Sequence, residues 1–196
     1  MTRLPIVLTV LATIALLAGC GHKNLDKYDW DKLSASPEYV VGPEDVLYVE
    51  FWQRDDMTKE VTVRPDGFLD LPLIGEVDAQ GKTPEELKQL ITRKMTAFEK
   101  APVVTVTVRK VMSYRIYVLG KVQKPGLYNP TQKVTVLQAL ALAGGPTTFA
   151  DEDKAVIIRR DGTTERRIPF VYSKVVGGSY PQMNIILSTG DTIVIP

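Results

Sequence analysis

Two residue types that often carry chemistry are nearly missing from this 196-residue chain, which has one cysteine, Cys20, and one histidine, His22. A single thiol excludes an internal disulfide, so in an oxidising compartment the fold must rest on packing and hydrogen bonds. His22 stands in a polar stretch without a ligand set around it, and reads as a solvated linker residue rather than a metal ligand. An excess of charge is missing too. With 24 Lys and Arg against 23 Asp and Glu, the formal charge of +1 gives no long-range pull on nucleic acid or anionic lipid. Paired carboxylates for hydrolysis are lacking: Asp55 and Asp56 adjoin in a polar loop and Glu50 lies on an expected strand, whereas a glycosidase sets two carboxyls across a cleft. The glycine phrases "GGP" and "GKVQKPG" lack the spacing of a phosphate cradle. Neither an enzyme nor a cofactor is expected.

Long apolar runs are absent after the first twenty residues. "MTR" supplies a short positive start, "LPIVLTVLATIALLA" an apolar run short for a membrane span, and Ala18 and Gly19 the small residues before a signal-peptidase cut. Leu17, Ala18, Gly19 and Cys20 resemble a bacterial lipobox. That resemblance implies a lipoprotein signal peptide at residues 1–19, acylation of Cys20 and a lipidated tether at 20–37. Several acyl chains hold a protein on a membrane where one binds only marginally. Gly21 after the cysteine resembles the pattern sorted to the outer membrane. An uncleaved membrane helix, or an ordinary signal peptide with an incidental cysteine, is the alternative.

Beyond the tether the periods are short and punctuated. "VLYVEF" at 46–51 reads as a strand. "VTVRPDGFLDLPLIG" carries an Asp66-Gly67 pair, so a hairpin is expected over 61–74. "TPEELKQLITRKMTAFEK" opens with Thr83 as N-cap, Pro84 at the first helical position and Glu86 completing a capping box. Its Leu87, Leu90, Ile91 and Phe98 are expected on one buried face. "VVTVTVRK" alternates valine with threonine as a half-buried strand does.

A second unit repeats the order. "YRIYVLG" reads as a strand, and "KVQKPGLY" as a corner at Pro125 and Gly126 with a short return. "TVLQALALAGGP" reads as a helix with a Thr135 and Gln138 capping box, stopped by Gly144, Gly145 and Pro146 and apolar nearly all round. "AVIIRRDGTTERRIP" is a second hairpin turning at Asp161-Gly162, and "GDTIVIP" a closing strand. Gly67, Gly75 and Gly120 are further turn positions. The pattern is α+β, with a unit of strands plus one helix at 38–110 and a β-grasp unit at 111–196. Asp66, Asp161 and Asp191 each adjoin a glycine, which turn formation explains. Arg159, Arg160, Arg166 and Arg167 flank the second hairpin turn. They are candidate contacts for an anionic glycan, or a solubilising charge cluster halved by strand alternation. Trp30 and Trp52 are candidates for stacking on sugars, or for core and interface.

The phrases "VLGKVQKPGLY", "TVLQALALAGG" and "VIIRR" are similar to the soluble-ligand-binding β-grasp (SLBB) domain of bacterial polysaccharide export proteins. "YVVGPEDVLYVEFW", "VRPDGFLDLPLIGEVDAQGKT" and "PVVTVTV" resemble that family's polysaccharide export domain. The resemblance implies an outer-membrane lipoprotein that forms a homo-oligomeric ring around a capsular or exopolysaccharide chain. An inner-membrane co-polymerase or tyrosine kinase is the implied partner. Glu44 departs from the family, which usually has glycine in this turn. The sequence offers one β-grasp unit and no pore-lining helix, so a separate outer-membrane β-barrel is expected. A monomeric glycan-binding or sensing lipoprotein is the alternative. A DNA-uptake lipoprotein would need a helix-hairpin-helix tail and a basic balance.

Overall fold

The computed structural model describes residues 25–35 and 38–196. The expected signal peptide, Cys20 and His22 lie outside the described residues.

Within the stretch read as a tether without a period, the chain makes a 3-10 turn at Leu25–Lys27 and a helix, α1 (Trp30–Ser34). The Asp29 carboxylate starts α1 by accepting the Lys32 N–H at 3.0 Å. Leu25 and Trp30 are buried in the core of the second unit, and Trp30 Nε1 donates to the Leu25 carbonyl at 3.2 Å. Residues 25–34 are therefore a folded strap and not free chain.

The first unit is built on β1 (Val46–Phe51), whose Leu47, Val49 and Phe51 are buried. It pairs antiparallel with β2 (Lys59–Thr62). The turn at Asp66-Gly67 forms, with Gly67 N–H donating to Arg64 O at 2.9 Å, but the expected hairpin over 61–74 does not. Instead β3 (Phe68–Leu71) pairs with β4 (Gly75–Asp78) as a separate two-stranded sheet. The divergence lets Val61, Val63, Leu69, Leu71 and Val77 all reach one core, which a flat ladder of β2 on β3 would prevent. Helix α2 (Pro84–Met95) carries the expected Thr83 and Glu86 capping box, worth about 1 kcal/mol. Its Leu87, Ile91 and Met95 are buried. Phe98 is a correction: the helix ends before it and its ring is exposed. Strand β5 (Val104–Lys110) completes the order β2-β1-β5.

The second unit is a five-stranded sheet in the order β7-β6-β10-β8-β9, formed by β6 (Ile116–Gly120), β7 (Gly126–Tyr128), β8 (Ala155–Asp161), β9 (Thr164–Phe170) and β10 (Thr192–Ile195). Strands β6 and β10 run parallel and the other pairs antiparallel. This is the mixed sheet of a β-grasp. Helix α3 (Val136–Leu142) packs on one face through Val136, Ala139 and Leu140, and Thr135 and Gln138 form the capping box. Leu142 is exposed, so the helix is buried along one broad face rather than all round. A short helix, α4 (Tyr172–Val176), and a 3-10 turn at Pro181–Met183 lie between β9 and β10, where the sequence shows no period.

Of the glycines read as turn residues, Gly67, Gly75, Gly120, Gly144 and Gly145 have φ between 67° and 91°. Gly126 does not. It opens β7 opposite Val118, with Pro125 just before the strand, and a Cβ placed on it would meet open space. At Gly120 φ is +91° and a Cβ would lie 2.0 Å from the Ile195 carbonyl oxygen on the neighbouring parallel strand. Gly120→Ala is therefore expected to cost about 2–4 kcal/mol through backbone strain and strand separation, while Gly126→Ala stays within about 0.5 kcal/mol. Thermal melting checks both, since the first should lower the midpoint by several degrees and the second should leave it in place.

Candidate functional site

The hairpin arginines divide between faces and environments. Arg159 points into the core: its Nε donates to Asp191 Oδ1 at 3.0 Å, and its Nη2 to Asp191 Oδ2 at 2.7 Å and to Ile186 O at 3.1 Å. Its Nη1 donates to Leu33 O at 3.2 Å, which fastens the N-terminal strap. Asp191 is 1 % exposed and also accepts Ser188 N–H at 2.7 Å, so it is the anion of a buried pair as well as a turn residue. Arg159 is thus occupied by the fold and presents no free guanidinium to a glycan. The other three are exposed. Arg160 and Arg167 share one face of the sheet with Glu165 beside both, at 3.9 and 3.1 Å, while Arg166 lies on the other face and pairs with Asp161 at 3.3 Å. The four side chains do not converge.

The face that Arg160 and Arg167 share is the one turned away from α3. Cross-strand register places Leu127, Tyr117, Thr192 and Ile158 in one row and Leu119, Val194 and Val156 in the next. None belongs to the hydrophobic core, and Tyr117, Leu119 and Leu127 are exposed. At the far end of the first unit, Trp52, Phe98 and Val103 form a second exposed group. Trp52 N–H donates to Val103 O at 3.0 Å, and Arg54 meets Glu99 at 3.8 Å, which brings the two loops together. Gln53 and Ala101, in the same loops, hold φ of 59° and 54°. Trp30, by contrast, is core. A shallow polar depression of about 730 Å³ runs along Lys121 and Thr147–Asp153. Among the described residues no cluster of His, Cys, Asp or Glu is arranged to hold a metal.

Between the units stands a group that sequence reasoning passed over. Asp45 is fully buried and accepts five hydrogen bonds, from Gly42 N–H at 2.9 Å, Tyr39 Oη at 2.6 Å, Met112 N–H at 2.7 Å, Ser113 N–H at 2.8 Å and Ser113 Oγ at 2.8 Å. The turn before it follows the type II pattern, with Pro43 second, Glu44 at φ 70° in third place and Asp45 N–H donating to Gly42 O at 3.2 Å. Glu44 thus adopts the conformation that glycine would take most easily, and its carboxylate pairs with Arg115 of the second unit. The signal in the sequence was the "GPED" phrase itself.

Comparison with known proteins now bears on these two units. A model for the polysaccharide biosynthesis/export protein family matches residues 33–109, and one for the SLBB domain matches 115–168. The chain belongs to the polysaccharide biosynthesis/export family. This is a transport family and not an enzyme family. Among its relatives are the exopolysaccharide production protein ExoF of Rhizobium meliloti, 32% identical over 74% of this chain and 35% of that protein, and the polysialic acid transport protein KpsD of Escherichia coli, 26% identical over 82% of this chain and 28% of that one. The EPS I polysaccharide export outer membrane protein EpsA of Ralstonia nicotianae is 24% identical over 88% of this chain and 50% of its own length. The chain spans between about a quarter and a half of these curated relatives. Met112 and Ser113, which grip Asp45, fall in the gap between the export and SLBB matches. The Asp45 cluster is the joint between two family modules.

Two outcomes follow. Asp191→Ala leaves Arg159 buried without its anion and is expected to cost about 3–5 kcal/mol, whereas Arg160→Ala and Arg167→Ala, which lose exposed pairs, stay within about 1 kcal/mol. Denaturant titration of the three variants checks this. The second concerns Tyr39, whose burial, hydrogen bond to Asp45 and nearness to that charge hold its hydroxyl well above the ordinary phenol range. The folded chain binds this proton more tightly than the unfolded one. Its stability contribution is complete below about pH 10 and falls as pH rises past it. Melting midpoints of the parent chain should decline above that pH, and Tyr39→Phe should decline less steeply from a lower plateau.

Proposed function

We propose that the chain is a non-enzymatic component of a periplasmic ring for export of capsular or exopolysaccharide, anchored through acylated Cys20 at the periplasmic face of the outer membrane. The observation that carries this reading is the order of an export module and an SLBB module, fastened at Asp45, in a chain whose relatives are named for exopolysaccharide production, polysialic acid transport and outer-membrane export. The polysaccharide passes through unchanged, handed on from an inner-membrane co-polymerase or tyrosine kinase. Among the described residues no helix is long and apolar enough to cross a membrane, and α2, the longest, has 12 residues. In this reading a separate β-barrel partner provides passage across the bilayer.

The strap sharpens the geometry of anchoring. Leu25, five residues beyond Cys20, is already locked into the β-grasp core, and five residues of extended chain reach at most about 18 Å. The β-grasp unit is then held within that distance of the lipid.

Cys20→Ala should leave a folded protein that is recovered in the soluble periplasmic fraction without acyl label. Purified lipidated chain should sediment as a homo-oligomer and give no steady large conductance in a planar bilayer. A monomer at every concentration, with one saturable glycan site, would replace this reading by that of a glycan-binding lipoprotein. A stable conductance from the chain alone would remove the separate barrel.

A further inference from the structure

We infer that copies of this chain join head to tail, the outer face of the β-grasp sheet of one packing on the Trp52, Phe98 and Val103 end of the export unit of the next. The inference deepens the ring reading and rests on it. A closed ring with one kind of subunit needs two different, mutually complementary surfaces on each chain, whereas a two-fold dimer needs one surface that matches itself. Each unit carries an exposed apolar surface of different residue content. On the sheet face Tyr117, Leu119 and Leu127 are exposed at 38 %, 46 % and 49 %. At the export end Trp52, Phe98 and Val103 are exposed at 63 %, 57 % and 60 %. Exposed aromatic side chains are enriched at the centre of protein interfaces.

Charge points the same way. Glu165 with Arg160 and Arg167 leaves the border of the sheet face with one net positive charge. The loops of the export end set Asp55, Asp56 and Glu99 against Arg54 and Lys100, one net negative charge. Like surfaces would repel and unlike surfaces attract, which favours head-to-tail over face-to-face contact. The left-handed backbone at Gln53 and Ala101 supports the same assignment, because non-glycine residues are held in that region where the surrounding structure needs the loop in one shape.

Thiol cross-linking tests this on the full chain in detergent, with the parent chain, whose single cysteine is Cys20, as the blank. A Leu119→Cys, Val103→Cys double variant treated with a short bismaleimide should give a ladder of covalent oligomers. Each single variant should give no dimer beyond the blank, and a mixture of the two singles should give one heterodimer band. Trp52→Asp and Leu119→Asp, both at exposed positions, should raise the concentration for half-assembly about tenfold or more while leaving the melting midpoint of the chain unchanged. Should Leu127→Cys with Trp52→Cys be needed because either substitution lowers the midpoint, the same three-lane pattern is expected. Self-linking of Leu119→Cys alone would overturn the inference in favour of a two-fold contact. An oligomer that forms by mass but shows neither ladder nor Asp sensitivity would overturn it and leave the ring reading standing. A monomer by mass at all concentrations would overturn both.

Discussion

The arrangement of the two units depends on a carboxylate with no cation against it. Asp45 is buried completely and is balanced by five neutral donors, three of them backbone N–H groups whose positions the chain must fix at the same time. A buried charge that loses one such donor is left with an unpaired lone pair in a poorly solvating site, at a cost of about 1–3 kcal/mol. The turn at Gly42, the ring of Tyr39 and the connector at Met112 and Ser113 therefore move together or not at all. A Cβ on Gly42 would sit 2.5 Å from Ser113 Cβ, so even the packing at this point admits no side chain. The export module is thus fastened to the connector that leads into the SLBB module at Asp45, and to the SLBB module itself by the Glu44–Arg115 pair.

A second buried ionic centre organises the β-grasp unit by the opposite means, full charge against charge. Arg159 and Asp191 join β8 to β10 across the sheet, and the spare donors of the guanidinium reach Ile186 and the strap at Leu33. Arginine suits this position because its planar fork supplies several donors in fixed directions, which a lysine would not. The strap is sealed further by Tyr28, whose hydroxyl donates to Arg167 O at 3.4 Å, and by Trp30 in the core. One hairpin thus uses an arginine inward for cohesion and its neighbours outward on the surface.

Much of this was legible in the sequence wherever a local rule determined the outcome. Both capping boxes, the strand at β1, the alternation of β5 and the turn at Asp161-Gly162 are governed by residues within a few positions of each other. Partner choice was not local. The Asp66-Gly67 turn formed while its strands went to different sheets, since pairing was decided by which apolar faces could share a core. Gly120 and Gly126 look alike in sequence, yet only the first has a neighbouring carbonyl where its Cβ would be. Arg159 and Arg160 are adjacent and identical, and strand alternation together with a distant Asp191 decides that one is buried in the core and the other exposed. Asp45 was hidden for the same reason, because its partners at 112 and 113 lie nearly seventy residues away.

The strap also governs timing. Its contacts with Arg159 and Arg167 join groups 126 and 139 residues apart, so a segment near the amino end docks on strands made long after it. Contacts of such separation form late, because the loop between them must close before they are rewarded. Until β8 and β9 exist, Leu25 and Trp30 have no completed core to enter. Docking of the strap then marks completion of the β-grasp sheet, so a cut or a variant in residues 25–34 would report on a sheet that is already built.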